Sequence, residues 1–198
     1  MNICTYTFED YLSLVRSFHG HLAPGVVIGG VMVDVAYRRL PAEGLFDAIC
    51  ETRACLPDAV QLLTPCTVGN GWLRIVDLGR YALALYEKTG GKGIRVFLDP
   101  ARLEKWSEIR AWFFKTKPKA EQDPERLLDQ IREAGESIYG VQEVEVHPCF
   151  LGRPHRGGFA VCPLCGESYP ARDGGICRAC QGESPYRDSV KGTLPVVS

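Results

Sequence analysis

Two Cys-x-x-Cys pairs near the C-terminus constrain this chain more than any other feature in it. Cys162-Pro-Leu-Cys165-Gly166 precedes Cys177-Arg-Ala-Cys180, with eleven residues between Cys165 and Cys177. Four thiolates at this spacing fill a tetrahedral zinc shell and leave no position open for a reactant. Each pair forms a knuckle that turns both sulfurs toward one ion. Gly166 allows the tight backbone turn that follows the first knuckle. The stretch Tyr169 to Ile176 between the knuckles suits a hairpin. The competing reading is two redox dithiols or four unrelated buried thiols. A module this small has almost no core, so its metal supplies most of its folding energy, and structural zinc is the expectation.

The chain carries nine cysteines, an odd count that suits metal binding in a reducing compartment better than a disulfide framework. Met1 to Asp10 has neither a basic nor an apolar stretch of the kind a secretory leader needs. The most apolar window, Ala23 to Ala36, is broken by Gly25, Gly29, Gly30 and Asp34 and is too short to span a bilayer. A cytoplasmic location with no membrane contact is therefore expected. The balance of 23 Lys+Arg against 24 Asp+Glu leaves a formal charge of −1, which encodes no bulk attraction to nucleic acid. At 45% hydrophobic and 24% charged residues, the 198-residue chain is neither disordered, collagen-like nor a multispan membrane protein.

Residues 1–150 read as one α+β core domain, 151–160 as a linker, 161–184 as the four-cysteine finger and 185–198 as a tail. Thr7 caps a first helix, with Glu9 and Asp10 in its first turn and Phe8, Tyr11, Leu12, Val15 and Phe18 on one stripe. His19-Gly-His-Leu-Ala23 interrupts it, and Pro24 opens a second helix that runs to about Leu40. Leu45–Thr52, Leu73–Leu78, Tyr81–Glu87 and Ile94–Leu98 are short apolar runs that suit strands, with a short helix over Leu56–Leu63. Asp99-Pro100 opens a helix carrying Leu103, Trp106, Ile109 and Phe113. Asp123-Pro124 opens another that keeps Leu127, Leu128, Ile131, Ala134 and Ile138 in register. Val141–His147 alternates and reads as a half-buried strand. Short strands at close spacing predict an antiparallel or mixed sheet with helices grouped on one side. The apolar faces of the Pro24 and Ala101–Phe114 helices also suggest a homodimer.

A second set of chemistry-bearing residues lies in the core domain. His19 and His21, two apart in an extended stretch, place both imidazoles on one side, and Gly20 lets the backbone approach a ligand. Cys55 precedes a helix whose dipole would favour its thiolate. Cys66 follows that helix in a glycine-bearing loop. Imidazole with thiolate suits Zn, Ni, Fe or Cu, so a second transition metal or a reactive-thiol site is one reading of His19, His21, Cys55 and Cys66. The other is a capped helix junction with hydrogen-bonded histidines and two buried thiols. Cys4 and Cys50 read as packing thiols, and Cys149, two residues after His147, reads either way.

These motifs together resemble one family. Phe18-His-Gly-His-Leu-Ala-Pro-Gly25 is similar to the signature Phe-His-Gly-His-Leu-Cys-Pro-Gly of the formylmethanofuran dehydrogenase E-subunit family. Cys55-Leu-Pro-Asp-Ala59, Cys66-Thr-Val-Gly69 and Gly91-Lys-Gly-Ile-Arg-Val96 resemble its further blocks, and Cys162–Cys180 resembles the finger many members carry. The resemblance implies an α+β core, a treble-clef or ribbon-like finger and a homodimer. It also implies a link to the tungsten or molybdenum enzyme that reduces CO2 to formylmethanofuran. The chain would act as an oxidoreductase subunit, as an accessory or metal-delivery protein on a larger oxidoreductase, or as an interaction module without catalysis. The matched positions His19, His21, Cys55 and Cys66 are then the core-site candidates. Ala23 stands where the family motif has Cys, and a methyl group neither ligates metal nor exchanges disulfides.

Overall fold

The computed structural model describes residues 1–41, 44–152 and 157–186. The expected tail from 187 on and linker residues 153–156 lie outside the described residues. The chain divides into two compact units, Met1–Gly152 and Arg153–Ser198.

In the first unit, a two-stranded hairpin of β1 (Asn2–Ile3) and β2 (Tyr6–Thr7) leads into α1 (Phe8–His19). Thr7 caps α1, its hydroxyl accepting the Asp10 N–H at 3.2 Å. Helix α2 (Pro24–Tyr37) has Pro24 in its first turn. Eleven of its fourteen residues are buried, so it is apolar on every side and runs through the middle of the core. Two glycines make that passage possible. A Cβ on Gly30 would lie 2.4 Å from the Tyr11 ring, and one on Gly29 would lie 2.8 Å from Ala59 Cβ. The apolar surface of α2 is thus spent inside the unit and is not offered to a second copy.

Strand β3 (Phe46–Cys50), helix α3 (Leu56–Leu63) and β4 (Leu73–Ile75) form a parallel crossover. Antiparallel β5 (Ala82–Glu87) and β6 (Lys92–Leu98) follow. Helices α4 (Ser107–Phe114) and α5 (Pro124–Ala134) lead to β7 (Tyr139–Glu145). The sheet is mixed, in the order β4-β3-β5-β6-β7. Alternation decides its faces: Leu83 and Leu85 join the core under α2, while Ala82, Ala84 and Tyr86 point the other way. On that second face buried Glu51 accepts Arg95 Nε at 2.6 Å and Arg80 Nε at 2.7 Å. The two guanidiniums, Arg95 foremost, hold its carboxyl below the usual carboxylate range.

Two long helices expected from periodicity are broken. The segment after Asp99 is a 3-10 turn over Pro100–Leu103, and α4 starts only after Trp106. The start of α4 is capped from elsewhere in the fold, by Gln130 Oε1 accepting the N–H groups of Glu108 and Ile109 at 2.9 and 3.3 Å. Helix α5 stops at Gly135, whose φ of +50° and ψ of −124° no helix contains, and Ile138 reaches the core from a separate 3-10 turn.

In the second unit, β8 (Phe159–Val161) pairs with β9 (Ser168–Pro170), and the first cysteine knuckle is the loop of this hairpin. The hairpin therefore lies around Cys162 and Cys165 rather than over Tyr169 to Ile176 between the knuckles, its expected position. Tyr169–Ile176 contains only the end of β9 and a 3-10 turn over Ala171–Asp173. Cys162, Tyr169 and Cys177 are its buried cluster, with Ala160, Ile176 and Cys180 packed against it.

Candidate functional site

Gly20, with φ of +83°, ends α1 in the left-handed conformation, and its N–H bonds the Arg16 carbonyl at 3.1 Å. This sharp exit brings the His19 and His21 rings to 4.8 Å between centroids. Asp58 stands in the first turn of α3, and its Oδ2 meets His19 Nδ1 at 2.6 Å. A carboxylate on Nδ1 fixes the ring and leaves Nε2 as the working nitrogen.

Cys55, the residue before α3, takes φ of +54° and ψ of −42°, a region L residues rarely occupy. It fits there because Gly25 has no side chain. A Cβ on Gly25 would lie 2.8 Å from Cys55 Cβ, 3.1 Å from its Sγ and 2.8 Å from the Tyr81 hydroxyl. Tyr81 donates to the Gly25 carbonyl at 2.6 Å, and Tyr11 donates to the Val26 carbonyl at 2.9 Å. Two phenols, Tyr11 buried and Tyr81 half-buried, thereby grip the first turn of α2 beside the thiol. Tyr81 packs edge-on against Trp112 and Phe113 of α4, at 6.3 and 6.1 Å between centroids, so an aromatic wall adjoins Cys55.

The helix dipole does not control this thiol. Burial pushes Cys55 above the ordinary thiol value, Asp58 pushes it further, and Lys115 only partly offsets them. The shift therefore runs opposite to the lowering expected from the helix dipole.

Cys66 lies elsewhere. It follows the far end of α3, whose eight residues span about 12 Å at 1.5 Å per residue. Its N–H bonds Thr64 Oγ1 at 3.0 Å, its Sγ faces the Phe46 carbonyl at 3.6 Å, and burial pushes the thiol up to about 11. The expected shell of His19, His21, Cys55 and Cys66 is not assembled, because α3 separates its two thiols. Asp58 and Tyr81 were not among the residues singled out from the sequence. Asp58 had a readable signal, three residues after Cys55 on the same helical turn. Tyr81 had none, being one apolar-strand aromatic among several.

In the finger, the four sulfurs of Cys162, Cys165, Cys177 and Cys180 lie within 4.8 Å of one another. This is the metal-binding cluster found among the described residues. The first knuckle is closed by the Gly166 N–H on the Cys162 carbonyl at 2.9 Å, with Gly166 at φ of +79°. The Cys177 N–H faces Cys162 Sγ at 3.5 Å. Backbone N–H groups, that of Cys177 first, hold the Cys162 thiol down to about 6. Its neighbours push Cys180 the opposite way, the close Cys177 sulfur first. Four thiols this close do not all ionise without a cation, and Zn2+ bound by all four supplies the missing charge. Gln181 braces the site by donating to the Asp173 and Ile176 carbonyls at 2.8 and 2.7 Å.

Comparison with known proteins agrees with both units. A family described as FmdE, molybdenum formylmethanofuran dehydrogenase operon, matches residues 18–147, and the FmdE treble clef zinc finger matches residues 153–187. A curated relative from Archaeoglobus fulgidus, described as a probable S-adenosyl-L-methionine-binding protein, is 32% identical over 189 residues, covering 84% of this chain and 51% of its own length. The chain thus spans about half the length of that relative. The crystal structure of a tungsten formylmethanofuran dehydrogenase FmdE-like protein from Syntrophus aciditrophicus is 53% identical, with a TM-score of 0.87 over 94% of this chain and 98% of that one. With an α+β core of the matching kind joined to a four-cysteine treble clef, the chain belongs to the FmdE family.

Proposed function

We propose that this protein binds structural zinc in its finger and works through the core residues His19, His21, Cys55 and Asp58, in the redox chemistry of one-carbon units. In this reading it is cytoplasmic, forms a homodimer and serves a larger oxidoreductase as a component or accessory. One observation carries the reading: Asp58 orients the His19 ring at 2.6 Å and stands in the first turn of the helix that begins after Cys55, a cysteine held in a strained backbone conformation. Strain and oriented imidazoles of this kind collect at working sites. The donors as arranged do not make a ready metal shell, since Cys66 is remote and Ala23 supplies no ligand. The site is therefore read as acid–base and thiol chemistry: His19 Nε2 moves a proton, and the Cys55 thiol adds to a small carbonyl substrate.

The test is metal analysis of purified wild-type protein and of the Cys162→Ser variant. One zinc per chain, lost in the variant, is the expected outcome. An ion retained by Cys162→Ser and removed by His21→Ala would replace the acid–base reading with a core metal. Pull-down with the larger oxidoreductase separates an accessory from a free-standing enzyme.

A second reading is favoured by the aromatic wall of Tyr81, Trp112 and Phe113. Aromatic faces attract a sulfonium cation, and S-adenosyl-L-methionine carries one beside a flat purine. Calorimetric titration with S-adenosyl-L-methionine tests it. Saturable heat that Trp112→Ala abolishes would support it, and no heat would remove it.

A further inference from the structure

Outside the core site and the finger, one pair of reactive side chains is brought together by a short turn. His147 Nδ1 lies 3.0 Å from Cys149 Sγ, on the 3-10 turn Pro148–Phe150 that follows β7. The same nitrogen accepts the Cys149 N–H at 3.3 Å, so it presents a lone pair and the proton of the neutral ring sits on Nε2. A lone pair within hydrogen-bond reach of a thiol is the arrangement by which a base activates a nucleophile.

The turn is held in place. The Phe150 N–H bonds the His147 carbonyl at 2.9 Å, and the Leu151 N–H bonds that of Pro148 at 3.0 Å. The Val146 N–H bonds the Gly91 carbonyl at 2.8 Å, and the Tyr86 hydroxyl reaches the Phe150 carbonyl at 3.4 Å. The pair is thus presented from a fixed scaffold, with Cys149 exposed.

The other thiols outside the finger are in worse positions. Cys50 and Cys66 are buried, and Cys4 and Cys55 are half-buried. Burial pushes Cys4 and Cys66 up to about 11 and raises Cys55 and Cys50 as well. In the finger, the four sulfurs form the zinc-binding cluster. Among the described residues, Cys149 is the exposed cysteine not committed to a metal, and it alone has an imidazole at its sulfur.

We infer that Cys149, with His147 as its proton acceptor, is a thiol–disulfide exchange site for a small disulfide such as glutathione disulfide. His147 Nδ1 takes the thiol proton. The Cys149 sulfur attacks one sulfur of the disulfide, a new S–S bond forms and the old one breaks. The departing thiolate takes the proton back from His147. Cys149 is oxidised to the mixed disulfide, and the other half of the small disulfide is reduced to one free thiol.

The test uses the zinc-loaded full chain with glutathione disulfide, followed by intact-mass and peptide mass spectrometry. The expected result is a single glutathionyl group on the Cys149 peptide, absent in Cys149→Ser. His147→Asn keeps an acceptor for the Cys149 N–H, and so keeps the turn, but provides no base. It should slow the exchange at least roughly ten-fold, with zinc content unchanged. First modification at another cysteine, or an undiminished rate in His147→Asn, would overturn the inference. The wild-type protein gives a second measure that needs no variant. Cys149 should react with iodoacetamide faster than the same cysteine in the urea-unfolded chain, and an equal or slower rate also overturns it.

Discussion

Gly25 shows how one missing methyl group organises the packing around Cys55. The thiol of Cys55, the hydroxyl of Tyr81 and the start of α2 occupy the volume a Cβ would fill. Gly25→Ala should therefore destabilise the core by about 1–3 kcal/mol through overpacking, measured by chemical denaturation. Asp58 acts on Cys55 through charge. Its carboxylate disfavours the thiolate, so removing that charge lowers the Cys55 pKa toward its ordinary value. Asp58→Asn should raise the alkylation rate of Cys55 at mildly alkaline pH, read by peptide mass spectrometry, and a falling rate would contradict the assignment. Neither effect is legible in the chain order. Gly25 and Cys55 are thirty positions apart, and only the packing of α2 against α3 makes them neighbours.

At the scale of elements, the finger and the sheet depend on different forces. Among its described residues the finger buries three, so its folding would rest on the four metal–sulfur bonds that zinc makes when bound. Cys162→Ser or Cys177→Ser should release zinc and make the chain after about Phe159 sensitive to protease, while thermal unfolding of the first unit stays unchanged. Loss of the core transition in either variant would show that the units do not fold separately. The far face of the sheet is fastened by Glu51 with Arg95 and Arg80. Because folding lowers the Glu51 pKa, its contribution is complete above the unfolded value near 4.5 and is lost as pH falls through the lower folded value. Glu51→Gln should cost roughly 3 kcal/mol at neutral pH, since it leaves Arg95 short of its partner. The variant's denaturation midpoint should then change less between pH 6 and about 3 than that of the wild type.

For the whole molecule, the dimer expected from apolar helices has lost half of its motivation, because α2 is interior. What remains is α4 and its surroundings, with Phe114 exposed beside half-buried Trp112 and Phe113. Sedimentation equilibrium at micromolar concentration should give a dimer that Phe114→Glu dissociates, and a wild-type monomer would remove the proposal. Local patterns were enough for much of this protein. Thiol spacing identified the zinc module because two knuckles and a tetrahedral ion leave few alternatives. Thr7, Pro24 and Asp123 marked helix starts because capping is local chemistry. The strand β3 and the short helix α3 followed from short apolar runs, whereas the parallel crossover they make with β4 did not. Other features depended on residues far apart in sequence. The breaks around Trp106 and Gly135, the separation of Cys66 from Cys55, and the raised pKa of Cys55 were decided by the tertiary structure. Helix ends there are satisfied by a distant Gln130. Two thiols eleven positions apart are divided by the helix between them. A thiol at a helix start titrates according to its burial and the nearby charges, Asp58 and Lys115, more than its dipole.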